Sequence, residues 1–308
     1  MNIYIILVNF NGIKLTEDCI DSIYQSKYDS SKYKVNIVVV DNGSKRDETQ
    51  DLKRKYKDLI FIRSEENLGF AGGNNLGINR AISKGAEYVL LINNDTVLDK
   101  YMLQRLFENA QPNVVLTSKM LYYNKPDTIW CEGGKIDWKK GNSYNGKINQ
   151  KDAHAVQNYY CEFTSGCCMF IPCDVIRKVG LLNSDYFMYC EDTEYCIRLK
   201  KAGIKVMVIP TATLYHKVSM SSGGEDSPFS IYYMTRNRLR FIKEYSELFS
   251  STAMRFAIVS RYIRCIQFFL LGKRNKSLAI IYAVHDFKKN RFERSNYKVL
   301  KNNDVTKK

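Results

Sequence analysis

Two short acidic stretches hold most of the chemical capacity of this 308-residue chain. The first is Asn93-Asn94-Asp95, which ends an apolar run that begins at Tyr88. A hard carboxylate beside two amides suits Mg²⁺ or Mn²⁺, ions that are commonly shared between one or two protein oxygens and a diphosphate. The same three residues would also stop a strand and cap a helix. The second stretch is Glu191-Asp192, preceded by Phe187, Met188 and Tyr189. A carboxylate in a partly desolvated wall can act as a general base, although acids at a helix start also complement the helix dipole. His216, just before the Ser/Gly-rich stretch 219–227, is either a ligand for an ion or a loop-closing residue. Arg236 and Asn237 lie on a predicted helix over 231–245, where they could clamp a diphosphate or line a solvated basic face.

These residues need a scaffold. An apolar strand over 3–8, the turn Asn9-Phe10-Asn11-Gly12 and a helical pattern with Leu15, Cys19, Ile20 and Ile23 make a β-loop-α unit. The grammar repeats in a strand over 35–40 that ends in Asp41-Asn42-Gly43-Ser44, a charged helix over 47–56, a third strand over 59–63 and a fourth over 88–93. Strands alternating with helices predict a parallel sheet with right-handed crossovers. Ligands of such sheets gather outside the carboxyl ends of the strands, where Asn93, Asn94 and Asp95 would project.

Between the third and fourth strands, Asn67-Leu68-Gly69-Phe70-Ala71-Gly72-Gly73-Asn74-Asn75 opens another helix. Glycines at a helix start let backbone N–H groups approach an anion, so Asn67, Gly72, Gly73 and Asn74 are candidate ligand contacts; a tight turn needing positive φ is the other use. The spacing is not GxGxxG and the loop follows the third strand, so a dinucleotide-binding Rossmann domain is not expected. Further on, the pattern predicts a helix over 102–107, a strand over 114–121, a hairpin or bulged edge over 128–137, a mobile polar loop over 142–157, a strand with small residues over 161–171, a helix from 191 and a strand over 206–210.

Hydrophobic residues make up 45% of the chain, enough for a full core. The nine cysteines show no CxxC pair and read as free thiols of a reducing cytosol. Neither a signal peptide nor a spanning segment is expected. The net charge of +15 is lopsided: residues 231–308 hold 18 Lys+Arg against 5 Asp+Glu, which leaves +2 for residues 1–230. A tail of that charge attracts anionic lipid or nucleic acid. Within it, 253–271 interleaves arginines with large apolar groups, the composition of a helix lying in a membrane interface or of one packed on the main domain. A short helix over 278–287 and a frayed end over 288–308 complete the reading.

Asn9-Phe10-Asn11, Asp41 to Ser44, Asn67 to Asn75, Asn93-Asn94-Asp95 and Glu191-Asp192, in this order, resemble the family 2 glycosyltransferases of GT-A fold over 3–237, and the Gly-rich stretch is similar to their rhamnosyltransferase-like branch. The resemblance implies an α/β GT-A nucleotide-diphospho-sugar transferase fold, with a mixed, mostly parallel sheet flanked by helices. It divides the chain into a catalytic domain over 1–230 (nucleotide-binding half to about 121, acceptor half over 122–230) and a basic helical C-terminal extension over 231–308. By position, Asp41 would bond the pyrimidine base with Asn9 and Phe10 as the other wall. Asn94 would face the ribose, and Asp95 would hold the metal, helped by the diphosphate and His216. The amides at 93 and 94 depart from a full Asp-x-Asp pattern. Asp192 would be the catalytic base, with Glu191 beside it, and Arg236 and Asn237 would approach the leaving diphosphate.

The implied activity is inverting, metal-dependent transfer from a UDP- or dTDP-linked sugar, rhamnose among the candidates. The acceptor would be a glycan or lipid-linked saccharide of cell-surface polysaccharide synthesis. The expected location is cytoplasmic, peripheral at the anionic inner face of the cell membrane. A sugar-1-phosphate nucleotidyltransferase would resemble its kind in a Gly-rich, Arg- and Lys-bearing loop after strand one, where this chain has Asn9-Phe10-Asn11-Gly12. A nucleic-acid-binding protein would need aromatic and basic residues on one ordered platform, so no nucleic-acid partner is expected. The sequence leaves oligomeric state open.

Overall fold

The computed structural model describes residues 1–218 and 226–301. The chain opens with β1 (Asn2–Asn9), α1 (Ile13–Gln25), β2 (Lys34–Asn42), α2 (Thr49–Lys55), β3 (Ile60–Ser64), α3 (Gly69–Ser83) and β4 (Tyr88–Ile92). It continues with β5 (Thr96–Leu98), α4 (Met102–Glu108), β6 (Val114–Tyr122), β7 (Lys125–Glu132), β8 (Gly134–Asp137), β9 (Asn142–Asn145), β10 (Tyr159–Cys161) and β11 (Cys168–Pro172). Then follow α5 (Cys173–Val179), α6 (Glu191–Lys201), β12 (Lys205–His216), α7 (Pro228–Glu244), α8 (Ala253–Leu270), α9 (Arg274–Lys288) and α10 (Lys298–Lys301).

The main sheet runs β10-β12-β6-β11-β4-β1-β2-β3, with β5 added on β12 and β7 on β6. Pairing is parallel across β4-β1-β2-β3 and between β6 and β12, while β11 lies antiparallel between β4 and β6. The sheet is therefore mixed, with its parallel half formed by the first four strands. Strand β1 shows why this half forms: Tyr4 and Ile6 enter one apolar core, and Ile3, Ile5 and Leu7 enter the other. A strand covered on both faces reads as an unbroken apolar run. Helices α1 and α4 cover one face through Cys19, Ile20, Leu103 and Leu106, and α3 covers the other through Ala71, Ile78 and Ala81.

Several local predictions need revision. The segment over 142–157 is not structureless, since β9 pairs with β8 and Lys151 bridges Thr128. The strand predicted over 161–171 is two strands, β10 and β11, separated by the turn that carries Gly166. Strand β12 extends past Pro210, where a register shift against β6 between Ile209 and Thr213 absorbs the residue that cannot donate to the ladder. The extension brings His216 opposite Thr96 of β5. Part of the Ser/Gly-rich stretch, 219–225, lies outside the described residues.

Helix α7 starts with Pro228 after Ser227, whose hydroxyl accepts the Ser230 N–H. It runs across the expected boundary at 230/231, and its Tyr232, Tyr233 and Leu239 share one core with Tyr186, Phe187 and Tyr195. All nine cysteines are free thiols. No helix among the described residues is long and apolar enough to cross a membrane.

Candidate active site

The carboxyl ends of β1, β2 and β4 are tied together by side chains. Asn9 is fully buried: its amide donates to Glu48 Oε2 at 2.7 Å and to Ser44 Oγ at 3.5 Å, and its Oδ1 accepts from Thr16 Oγ1 at 2.9 Å. The Asn94 amide donates to the same Thr16 hydroxyl at 2.9 Å. Gly12 leaves the space this network needs, because a Cβ there would lie 3.3 Å from Asn94 Nδ2 and 3.5 Å from Asn9 Oδ1. Asn9 and Asn94 thus stand at the expected strand ends, but each spends an amide on the framework. Asn93, half-buried, makes no side-chain hydrogen bond among the described residues, and Phe10, also half-buried, stands beside Asn9 at the lip.

Asp41 also lies at its predicted strand end, with its carboxylate turned inward. Arg63 binds Oδ2, the Ser44 N–H donates to Oδ1 at 3.2 Å, and the side chain has no exposed surface. The Arg63 guanidinium also donates to the carbonyls of Ser44 and Arg46, so this ion pair fixes the loop after β2.

The glycines of the Gly-rich stretch pack closely against their neighbours. A Cβ on Gly73 would lie 2.8 Å from Val8 Cγ1, and one on Gly72 would lie 2.7 Å from Leu68 Cβ. The Asn74 amide donates to the Phe70 carbonyl at 2.9 Å, and Asn67 accepts from Asn42 and from the Gly69 N–H. At the helix start, the Phe70 N–H is taken by the Phe187 carbonyl at 2.7 Å. Gly69, at φ +74°, has Phe187 O 2.0 Å from where its Cβ would be, so only glycine fits there. Helix α3 thus lies flush on the sheet, with the loop before α6 across its start.

That loop carries the second acidic pair. Phe187, Tyr189 and Cys190 all adopt positive φ, a conformation that persists in non-glycine residues only where the surroundings enforce it. Asn237 supplies the restraint: its amide donates to the carbonyls of Tyr186, Met188 and Tyr189 at 2.7, 2.9 and 2.9 Å. Arg236, fully buried, packs over Tyr232 and Tyr233, and its Nη1 donates to the Glu293 carbonyl at 2.8 Å. Helix α7 turns both inward, Asn237 onto the acidic loop and Arg236 onto the C-terminal segment, and the buried Arg236 Nη2 has no partner among the described residues.

Asp192 accepts the Gly166 N–H at 3.2 Å and the Thr193 N–H at 2.7 Å. Burial raises its carboxyl above the ordinary range, and these two N–H groups oppose the rise. Glu191 is buried, and its Oε2 has no partner among the described residues. Burial, then the charge of Asp192, pushes the Glu191 carboxyl well above the usual carboxylate range. Both carboxyls are thus held above the ordinary range, and the two N–H groups favour the charged form at Asp192.

The third cluster is Asp95 with His216. Nε2 of His216 lies 3.1 Å from Asp95 Oδ1, the edge of Trp130 packs on the imidazole at 4.3 Å between centroids, and the buried Nδ1 lacks a partner among the described residues. Contacts join the strand ends to the acidic pair, and Asp95 follows Asn94 directly in the chain. Asp41 meets Ser44, Ser44 meets Asn9, and Thr16 links Asn9 to Asn94; the Asn93 N–H then donates to the Cys167 carbonyl at 3.1 Å, next to the Gly166 that binds Asp192. Two more cations neighbour Cys190. Arg238 donates to the carbonyls of Lys140 and Gly141, and Arg261 has a buried Nε without a partner among the described residues. Burial and mutual repulsion hold Arg238 down at about 10, and burial lowers Arg261 as well.

Thr16, Glu48, Arg63 and Arg238 escaped the sequence reading as site residues, and no motif marked them; Gly166 and Arg261 fell in stretches noted only for their small residues and interleaved arginines.

The sequence profile described as Glycosyl transferase family 2 matches residues 4–180. Among curated proteins, the low-salt glycan biosynthesis hexosyltransferase Agl10 of Haloferax volcanii is 25% identical over 248 residues, 76% of this chain and 73% of that protein. The dTDP-rhamnosyl transferase RfbF of Shigella flexneri is 25% identical over 262 residues, 79% of this chain and 80% of that protein. Among solved structures, GalNAc-T7 with UDP, GalNAc and Mn²⁺ superposes with a TM-score of 0.64 at 14% identity, over 80% of this chain and about half (49%) of that one. The expected GT-A architecture is thereby borne out.

Proposed function

The chain belongs to glycosyl transferase family 2 and is a glycosyltransferase; from that premise we propose inverting, metal-dependent transfer of a hexose or deoxyhexose from a UDP- or dTDP-linked donor to a saccharide acceptor. The observation that supports this reading best is the juxtaposition of Asp192 with the β4 end through Gly166 and Cys167. It brings a carboxylate suited to proton abstraction beside the residues expected to hold the donor.

In this reading Asp192 accepts the proton of an acceptor hydroxyl, and that oxygen attacks the anomeric carbon from the face opposite the nucleotide, inverting the configuration. General base assistance contributes about 10²–10⁴-fold. Glu191, protonated, keeps a second negative charge away from the attacking oxygen. The donor sits against Asn93 and Phe10, with the Asn9-Thr16-Asn94 network holding the strand ends in place beneath it.

Asp95 and His216 fit a divalent cation: an oxygen and an imidazole nitrogen meet within 3.1 Å, and the remaining ligands would come from the diphosphate and water. Bound there, Mg²⁺ or Mn²⁺ would supply Lewis-acid neutralisation of the departing diphosphate.

The acceptor is proposed to be lipid-diphosphate-linked, and the enzyme to work at the anionic inner face of the cell membrane. Arg238, which forms no carboxylate ion pair within 4 Å among the described residues, and Arg261, whose buried Nε lacks a partner among them, support an anionic acceptor beside Cys190. Incubating the enzyme and Mn²⁺ with a panel of nucleotide sugars, and following nucleoside diphosphate release and the anomeric configuration of the product, tests the proposal. Release from no donor, or a retained configuration, would overturn it.

A further inference from the structure

Helix α8 presents an apolar face that nothing among the described residues covers. Phe256, Val259, Ile263, Ile266 and Leu270 recur at helical spacing on the side opposite Ala253, Ala257, Cys265 and Phe268, which are buried against the protein. The face ends at the turn into α9 in Phe269, Leu270 and Leu271, which are 62%, 77% and 67% exposed. Leu278 and Ile281 of α9 continue it. An exposed apolar patch of this extent marks an interaction surface. The segments outside the described residues, 219–225 and 302–308, bring Met220 and Val305 as their only large apolar side chains, too few to cover it.

Charge identifies the occupant. Between 253 and 288 the sequence holds seven Lys and Arg and one acid, Asp286. That acid is buried and bonded to Tyr232 and Tyr297, so it does not offset the surface charge. Arg255, Arg264, Lys273 and Arg274 are exposed on the hairpin. A second copy of this chain would set these cations against their equals, whereas an anionic lipid surface accepts both the apolar side chains and the surrounding charge.

We propose that the α8–α9 hairpin docks in the plane of an anionic monolayer, with Phe269, Leu270 and Leu271 entering the acyl boundary and Lys273 and Arg274 at the headgroups. The inference gives residues to the membrane placement proposed above and is independent of the assignments of donor and base. Because α7 carries both Asn237 and the contacts to this hairpin, docking sets the acidic loop at a fixed height above the lipid.

Co-sedimentation with phosphatidylcholine vesicles, with and without phosphatidylglycerol, at low and high salt, tests it. The wild-type chain should bind the anionic vesicles alone and release at high salt. F269E/L270E should bind about tenfold more weakly, and a Phe269→Trp reporter should shift to the blue on binding. Both changes are on exposed side chains, so transfer to a soluble acceptor should stay at the wild-type level; that readout separates a failure of docking from a failure of the enzymatic reading. The proposal is overturned if the wild-type chain ignores anionic vesicles, if F269E/L270E binds as well as wild type, or if light scattering shows a dimer that F269E/L270E abolishes.

Discussion

Asn237→Ala separates the structural reading from the one the sequence suggests. The amide carries two hydrogens, so its contacts with the carbonyls of Tyr186, Met188 and Tyr189 amount to two hydrogen bonds, one of them shared. Removing them strands carbonyls in a buried environment at about 1–3 kcal/mol each, or about 2–4 kcal/mol once some rehydration is allowed. The loop they restrain has three left-handed non-glycine residues, each storing about 1–3 kcal/mol, so it relaxes when released. A loss of about 2 kcal/mol in the productive loop conformer reduces its population, and hence kcat, about 30-fold. The KM for donor should hold, since Asn237 faces the loop and not the β1–β4 strand ends. The melting temperature should fall by about 3–6 °C. Asn237→Asp, which replaces the donor by an acceptor facing three carbonyls, should do at least as much harm. Steady-state kinetics with a responding nucleotide sugar decides the matter. Unchanged kcat, or a raised donor KM with kcat intact, would refute the reasoning and return Asn237 to the diphosphate.

Asp192→Asn should cut transfer by about 10²–10⁴-fold while calorimetry finds nucleotide affinity unchanged; comparable turnover removes the assignment. Asp95→Ala should abolish the Mn²⁺-dependent part of nucleotide binding, and an unaltered titration with Mn²⁺ would take Asp95 out of the site. Glu191→Gln addresses stability: a carboxyl raised by burial keeps its proton in the folded state, so its contribution is complete below the unfolded value and is lost as pH rises through the raised one. The Gln variant should therefore melt higher than wild type at neutral pH and at the same temperature in acid. Equal melting at both pH values would show that Glu191 ionises without penalty.

The strands of the parallel half were legible because a strand buried on both faces leaves an unbroken apolar run, as at 3–8 and 88–92. Strand β11 was legible as an element, but its antiparallel insertion between β4 and β6 was not, since its apolar residues are the same in either direction. At the site, positions were readable and orientations were not. Asn, Asp and Gly at strand ends serve ligands and backbone alike, and only the fold shows that Asn94 spends its amide on Thr16 and that Gly73 makes room for Val8. The carbonyl partners of Asn237 were hidden for the same reason: they lie about fifty residues earlier in the chain, a distance no local pattern reports.

The shared hydroxyl of Thr16 has a consequence for engineering. Because one side chain receives Asn94 and serves Asn9, which in turn holds Glu48, substitutions at these four positions will not behave as independent dials. A library that varies them one at a time would record mostly losses and miss combinations in which a new donor and a new acceptor arrive together. Selection for altered sugar preference should begin instead from paired replacements, scored by their departure from additivity.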